Sequence, residues 1–250
     1  MNKIRLISSI IVKDKLAVQS FNYDNYLPLG KVQCLAKNFD RWNSDEILIN
    51  CIDRSLDNRG PDFDLLKNIS KENISTPIIY GGGIRNAEDA VNVIKSGADR
   101  VLIETLVYKN FSELLKISKI LGSQALILSL PLVRKKNVLR QFDYINKEKI
   151  KINKNFKLAI KKKIFSEILI VDKQNEGSVE VNIDLNLLRL CKFELPLIYF
   201  GGLNSIKKIL KISKSKKITA VAIGNSLNYS EHRVQNIKEK INRFRKPYYF

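Results

Sequence analysis

The feature that most constrains this chain is that part of it occurs twice. Residues 76–84, T-P-I-I-Y-G-G-G-I, recur at 195–203 as L-P-L-I-Y-F-G-G-L without a gap, so that Pro196 lies 119 residues after Pro77 and Gly202 lies 119 after Gly83. The match runs on into the next apolar run, where residues 220–223 fall opposite 101–104. Upstream, the D-E-I-L-I that starts at Asp45 matches the S-E-I-L-I that starts at Ser166, an offset of 121. Two nearly equal offsets that together span four strands predict two similar halves of about 120 residues.

Each copy reads as a buried strand ending in glycines, an amphipathic helix and a second strand. In the first copy Pro77 to Tyr80 is the apolar run, Ala87, Ala90, Val91, Val93 and Ile94 recur at helical spacing, and the second run starts at Arg100. Glycines after a buried strand let backbone amides approach a ligand, because no Cβ intervenes; ordinary tight turns use the same freedom. The alternation continues along the chain. Strands are predicted at 5–12, 46–51, 77–80, from 100, 125–130, 167–171, 196–199 and 219–223, and helices at 32–42, 63–69, 87–94, 111–121, 155–163, 185–191, 206–212 and 234–244. A loop at 13–31 and an inserted hairpin at 133–151 interrupt it. Continuously apolar strands are buried on both faces, so the pattern predicts an α/β fold, a (β/α)8 TIM barrel with a half-barrel internal repeat, as one domain over residues 1–250.

The chain carries 44 Lys+Arg against 25 Asp+Glu, a formal charge of +19. Its lysines are scattered among Ile and Asn, as at 161–163 and 214–217, without interleaved aromatics. No nucleic-acid partner is therefore expected, and a phosphorylated small molecule is the first candidate for an anionic one. Cys34, Cys51 and Cys191 lie far apart and His232 stands alone, so neither a metal site, a cofactor nor a disulfide framework is expected, and a reduced cytoplasmic setting is. No apolar run approaches the length of a membrane span, and residues 1–12 are too short and too interrupted for a secretion signal.

In such a barrel, ligands bind at the C-terminal ends of the strands, commonly with a phosphate after strands seven and eight. Gly201 and Gly202 end strand seven, while Gly224 and Asn225 end strand eight and open a short helix. By the half-repeat, Gly82 and Gly83 with Thr105 form an equivalent site across the mouth, an arrangement suited to a ligand with a phosphate at each end.

The motifs that begin at Arg5 (R-L-I-x4-V-K-D), Asp45 (D-E-I-L), Tyr80 (Y-G-G-G-I-R), Gly97 (G-A-D-R-V) and Gly122 (G-S-Q-A), with the paired glycines at Gly201, carry a resemblance over nearly the whole chain. The chain resembles the HisF family, the cyclase subunit of imidazole glycerol phosphate synthase. The resemblance implies that Gly177 joins the phosphate-binding set. It also implies that a HisH-like glutaminase docks at the N-terminal face, with Asp99 in the interface, and sends ammonia through the barrel. Four charged residues ring the family's ammonia entrance, and this chain has Arg5, Glu46, Arg100 and Glu167 there. Alternating charges on a barrel floor also satisfy one another without any gating role.

Departures from the family are as informative. Its general acid and base are aspartates at the ends of strands one and five, since ring closure and C–N cleavage need proton transfer on both sides of the substrate. Ile11 and Pro131 stand at those positions and cannot move a proton. Asp14 follows three residues after Ile11, Cys51 replaces a carboxylate on strand two with Asp53 nearby, and Glu104 replaces a neutral amide beside the first phosphate. A carboxylate there repels an anion unless Arg85 or Arg100 compensates.

Ile11, Tyr80, the Y-L-P-L-G run from Tyr26 to Gly30 and the triplet Glu231-His232-Arg233 are closer to second-copy HisF-like proteins of the WbuZ type, which accompany surface-polysaccharide genes. In those systems, a glutaminase and a sugar amidotransferase convert an acetamido sugar to an acetamidino sugar. The leading expectation is a HisF-like subunit of a glutamine amidotransferase system that channels ammonia and has lost the cyclisation chemistry. A cyclase of histidine biosynthesis and a non-enzymatic phosphate-binding scaffold remain as alternatives.

Overall fold

A computed structural model describes residues 4–178, 185–229 and 232–244, the side chains of 243 and 244 excepted; Glu231 lies outside the described residues. Eight parallel strands form the barrel in chain order: Arg5–Lys13, Glu46–Cys51, Ile78–Gly81, Arg100–Ile103, Leu126–Lys135, Glu167–Asp172, Leu197–Phe200 and Ile218–Ile223. Strand eight pairs with strand one (Ala220 beside Arg5) and strand six with strand five, which closes the ring. Helices Val32–Arg41, Phe63–Ser70, Ala87–Lys95, Phe111–Leu121, Lys154–Lys161, Leu185–Leu190, Ile206–Ser213 and Arg233–Phe244 follow strands one to eight in turn.

Strand side chains alternate between two apolar layers, because successive residues point to opposite faces. On strand two, Ile47 and Ile49 pack outward against the helices while Leu48 points to the barrel axis. Ile7, Ile79, Ile127 and Ile198 from the odd strands join Leu48, Leu102 and Leu169 from the even strands inside the barrel. Layers drawn from alternate strands are how this fold fills its centre.

The half-repeat persists in three dimensions. Asn86 and Ser205, 119 residues apart, each cap the helix after a glycine turn, accepting from the backbone N–H of Asp89 at 2.8 Å and of Lys208 at 3.3 Å. Tyr80 and Tyr199 are also mates and both are fully buried. The Tyr199 hydroxyl donates to Asp172 at 2.6 Å, while that of Tyr80 accepts from the Asp62 amide at 2.7 Å and meets the thiol of Cys51, the mate of Asp172. Gly82 (φ +117°) and Gly201 (φ +121°) share one conformation, and a Cβ on Gly201 would lie 2.7 Å from the Asp172 carbonyl oxygen. On Gly82 it would overlap the carbonyl of Cys51. These glycines are thus required by the close approach of the neighbouring strand end, with or without a ligand.

Two segments differ from the sequence reading. Residues 13–31 are not a loop: strands Leu16–Phe21 and Asn25–Lys31 fold back on strand one, Ile11 facing Val18. Asp14 and Lys15 make the first turn with φ +50° and +65°, values that suit a two-residue hairpin connection. Asp14 is therefore an exposed turn residue, paired with Lys13 at 2.7 Å. Strand five is longer than its predicted 125–130, running through Pro131 into a second hairpin with strands Val138–Asp143 and Glu148–Ile150. Among the described residues no helix is long and apolar enough to cross a membrane.

Candidate functional site

At the N-terminal floor, the strand alternation brings four charged side chains together. Arg5 Nη1 lies 3.0 Å from Glu46 and its other terminal nitrogen pairs with Glu167; Arg100 Nη1 lies 3.1 Å from Glu46 and 2.9 Å from Glu167. Each arginine therefore contacts both carboxylates. Arg100 also donates to Ser166 Oγ at 2.8 Å and to the Gln124 carbonyl at 3.2 Å. A fifth member, which the sequence reading missed, is Thr219, whose hydroxyl donates to Glu167 at 2.7 Å. The register between strands seven and eight shifts at this point, Leu197 facing Ile218 and Ile198 facing Ala220, so Thr219 is an extra residue that period-two counting misplaces. Burial raises Glu46 above the usual carboxylate range despite both arginines. Burial also acts upward on Glu167, but the hydrogen bonds and charge of Arg5, aided by Thr219, bring it below that range. Asp99 is exposed beside Arg100 and accepts from the Ile78 amide at 2.7 Å, which fixes the start of strand three.

The opposite end is a mouth with a cavity of about 530 Å³. Gly82 and Thr105 are on its wall, with Cys51 and Glu104 between the barrel and the hairpins. Ile11 and Pro131 are both buried, Ile11 among the apolar side chains of the barrel interior, so the structure puts hydrocarbon at both positions. Asp53 has one oxygen engaged, accepting from the Asp14 amide at 3.0 Å and pairing with Arg59 at 2.9 Å. Neither arginine considered for Glu104 reaches it, since Arg85 pairs with Asp89 at 2.9 Å and Arg100 belongs to the floor. Burial pushes Glu104 up to about 8, against a 2.9 Å hydrogen bond from Ser129 and with a further upward push from Asp143.

This displacement has a sign that can be tested. The unfolded chain releases the Glu104 proton near the ordinary value of 4.5 and the folded chain near 8, so stability falls as pH rises between them and is undisturbed below. Glu104→Gln is expected to leave thermal stability unchanged near pH 4 and to raise it above pH 8 by roughly 4 kcal/mol. Melting curves of both proteins across that range check it.

Across the mouth, Gly177, Gly201, Gly202, Gly224 and Asn225 line a small hollow of about 60 Å³. Residues 225–228 form a four-residue 3-10 turn rather than an α-helix, so the dipole expected there is short. The side chain of Asn225 is committed elsewhere: it accepts from the Ser20 amide at 3.2 Å and donates to the Ser20 carbonyl at 2.6 Å. Glu176 also borders the hollow, and nothing periodic in its loop marks it in the sequence. It accepts from Ser20 Oγ and the Tyr23 amide, each at 3.0 Å, and burial lifts it to about 7 against those bonds. On the other side, Gly83 donates its amide to Ser55 Oγ at 3.1 Å.

A closed barrel of two like halves, with glycine turns facing each other across one mouth and an ion ring at the other end, is a (β/α)8 barrel with a half-barrel repeat. The chain belongs to the family described as histidine biosynthesis protein, whose sequence profile matches residues 5–233. Within it the chain is HisF-like. It is 31% identical over 235 residues, 93% of this chain and 86% of the other, to a Vibrio vulnificus protein provisionally called imidazole glycerol phosphate synthase subunit hisF2. A Campylobacter jejuni protein with the same provisional name is 26% identical over 97% of both chains. The imidazole glycerol phosphate synthase subunit HisF of Dictyoglomus thermophilum is 27% identical over 94% of both.

Proposed function

We propose that this HisF-like barrel receives ammonia from a glutaminase docked at its N-terminal face and passes it through the barrel for use in an amidation, without performing the histidine cyclisation. The observation that carries the reading is the floor: Arg5, Glu46, Arg100 and Glu167 neutralise one another in a ring beneath an apolar interior. Such a ring keeps ions and bulk water out, since any hydrated ion must shed its shell to enter hydrocarbon, whereas neutral ammonia crosses at small cost. Asp99, exposed at the same face, is a contact for the partner. Gly177, Gly201, Gly202, Gly224 and Asn225 are the main place where a phosphorylated ligand would sit; the set at Gly82, Gly83 and Thr105 is the weaker one, because Glu104 opposes an anion there. Of the two, the hollow of about 60 Å³ at the main set is the better shaped for a single phosphate group.

The acceptor in this reading is an acetamido sugar handled by a separate amidotransferase, as the likeness to second-copy proteins implies. The test is direct. A HisH-type glutaminase mixed with this chain is expected to form a stable pair and to hydrolyse glutamine faster than it does alone. Glutaminase activity unchanged by the barrel, with no complex by size-exclusion chromatography, sinks the proposal.

A further inference from the structure

The mouth cavity is walled differently from a phosphate site. Tyr23 and Tyr26 enter it from the first hairpin, Phe142 and Tyr144 from the second, and Tyr108 from the turn of helix after strand four. Tyr144 packs edge-on against both Tyr23 and Phe142, with ring centroids 5.2 and 5.0 Å apart, so the two hairpins meet through their aromatic rings. Glu104, just past the end of strand four, lines this aromatic enclosure together with Leu102. The Ser129 hydroxyl donates to it at 2.9 Å.

Charges around Glu104 are arranged against an anion and leave room for a cation. Asp143, of like sign, acts on it from the second hairpin, while its own oxygens are occupied by the Ile145 amide at 2.9 Å and the Asn146 side chain at 2.8 Å. Tyr23, Tyr108 and Tyr144 face Glu104 as neutral phenols, their acidity suppressed by burial, and the Cys51 thiol is pushed up to about 12. The cavity's inner lysine, Lys173, is engaged away from Glu104: it donates to the Asn22 carbonyl, lies 3.5 Å from Asp24 and stands 5.0 Å above the Phe142 ring. Lys147 is on the exposed rim of the second hairpin. A carboxyl with no cation paired to it among the described residues, in a cavity lined by aromatic rings, is the chemical complement of an organic cation.

We propose that the mouth cavity binds an organic cation of the amine or amidine class, with Glu104 as its counter-ion and Tyr23, Tyr108 and Tyr144 as its aromatic walls. The cation displaces the Glu104 proton to solvent and pairs with the carboxylate left behind, so charge in the cavity is balanced and one proton appears in the bulk. The inference does not depend on the source of ammonia and stands or falls apart from the amidotransferase reading.

Benzamidine, its neutral isostere benzamide and inorganic phosphate are the probes, titrated calorimetrically into the full chain. Benzamidine is expected to bind at least tenfold more tightly than benzamide, to release close to one proton per molecule near pH 7, and to strengthen as pH rises towards 9. Glu104→Gln, which keeps size and hydrogen bonding, is expected to abolish that preference and the proton release while leaving the melting temperature at or above the wild-type value. Equal affinity for benzamidine and benzamide, binding without proton release, a variant that keeps the preference, or phosphate that displaces benzamidine from this cavity each overturns the proposal.

Discussion

Purified protein given ammonia and the ribulosyl substrate of the HisF family is expected to form no imidazole product. Cyclisation with C–N cleavage needs an acid and a base at the ends of strands one and five, and such groups typically contribute factors of 10² to 10⁴ each. Ile11 is held among apolar side chains in the barrel interior, and Pro131 lies within strand five opposite Val171, so neither place offers a titratable atom. Three carboxyls at this end of the barrel are differently set. Glu104 follows the end of strand four, Glu176 is engaged by Ser20 and Tyr23, and Asp53 by Asp14 and Arg59. A spectrophotometric assay of product formation decides the matter. Turnover on the order of 1 per second, ordinary for enzymes, would show that the chemistry has been relocated rather than lost.

Arg100→Ala is expected to affect both stability and nitrogen transfer. Arg100 is largely buried, its side chain only 14% exposed, and touches both carboxylates of the floor. Its removal leaves two buried carboxylates facing Arg5 alone, and breaking a buried pair in this way costs about 3 kcal/mol or more. The loss should shrink in acid, because Glu46, already raised by burial, takes up a proton and relieves the repulsion. In the glutaminase pair the variant is expected to hydrolyse glutamine yet deliver little of its nitrogen to the acceptor, with added ammonia restoring the product. Transfer of ¹⁵N from labelled glutamine with wild-type efficiency would remove the main support for a conduit and favour a scaffold.

Much of this architecture could be read from the chain because the barrel is periodic in two ways. The family resemblance named Arg5, Glu46, Arg100 and Glu167, and because each starts a strand the barrel brings all four to one end. The half-repeat fixed the glycine turns, whose mates Gly82 and Gly201 share a backbone conformation within a few degrees. What escaped the sequence reading breaks one of these periods. Thr219 sits where the register slips by one. The first hairpin has a strand, Asn25–Lys31, that is largely exposed and includes Pro28 and Gly30, so its composition resembles a loop, and its pairing skips Leu29, Ala17 facing Gly30 while Val18 faces Pro28. Glu176 lies in a non-repeating turn, and its importance comes from partners about 155 residues away in sequence, Ser20 and Tyr23.

The way the first hairpin is fastened bears on how it opens. Asn22 donates its amide to the Glu176 carbonyl, Lys173 donates to the Asn22 carbonyl, and Asn225 clasps both backbone groups of Ser20. The Glu176 carboxylate adds the Ser20 hydroxyl and the Tyr23 amide. These bonds join one short segment to the ends of strands six and eight, so that releasing the segment means breaking them together. Opening is consequently a single cooperative event, closer to local unfolding than to the fluttering of a loop, and belongs to the microsecond-to-second range.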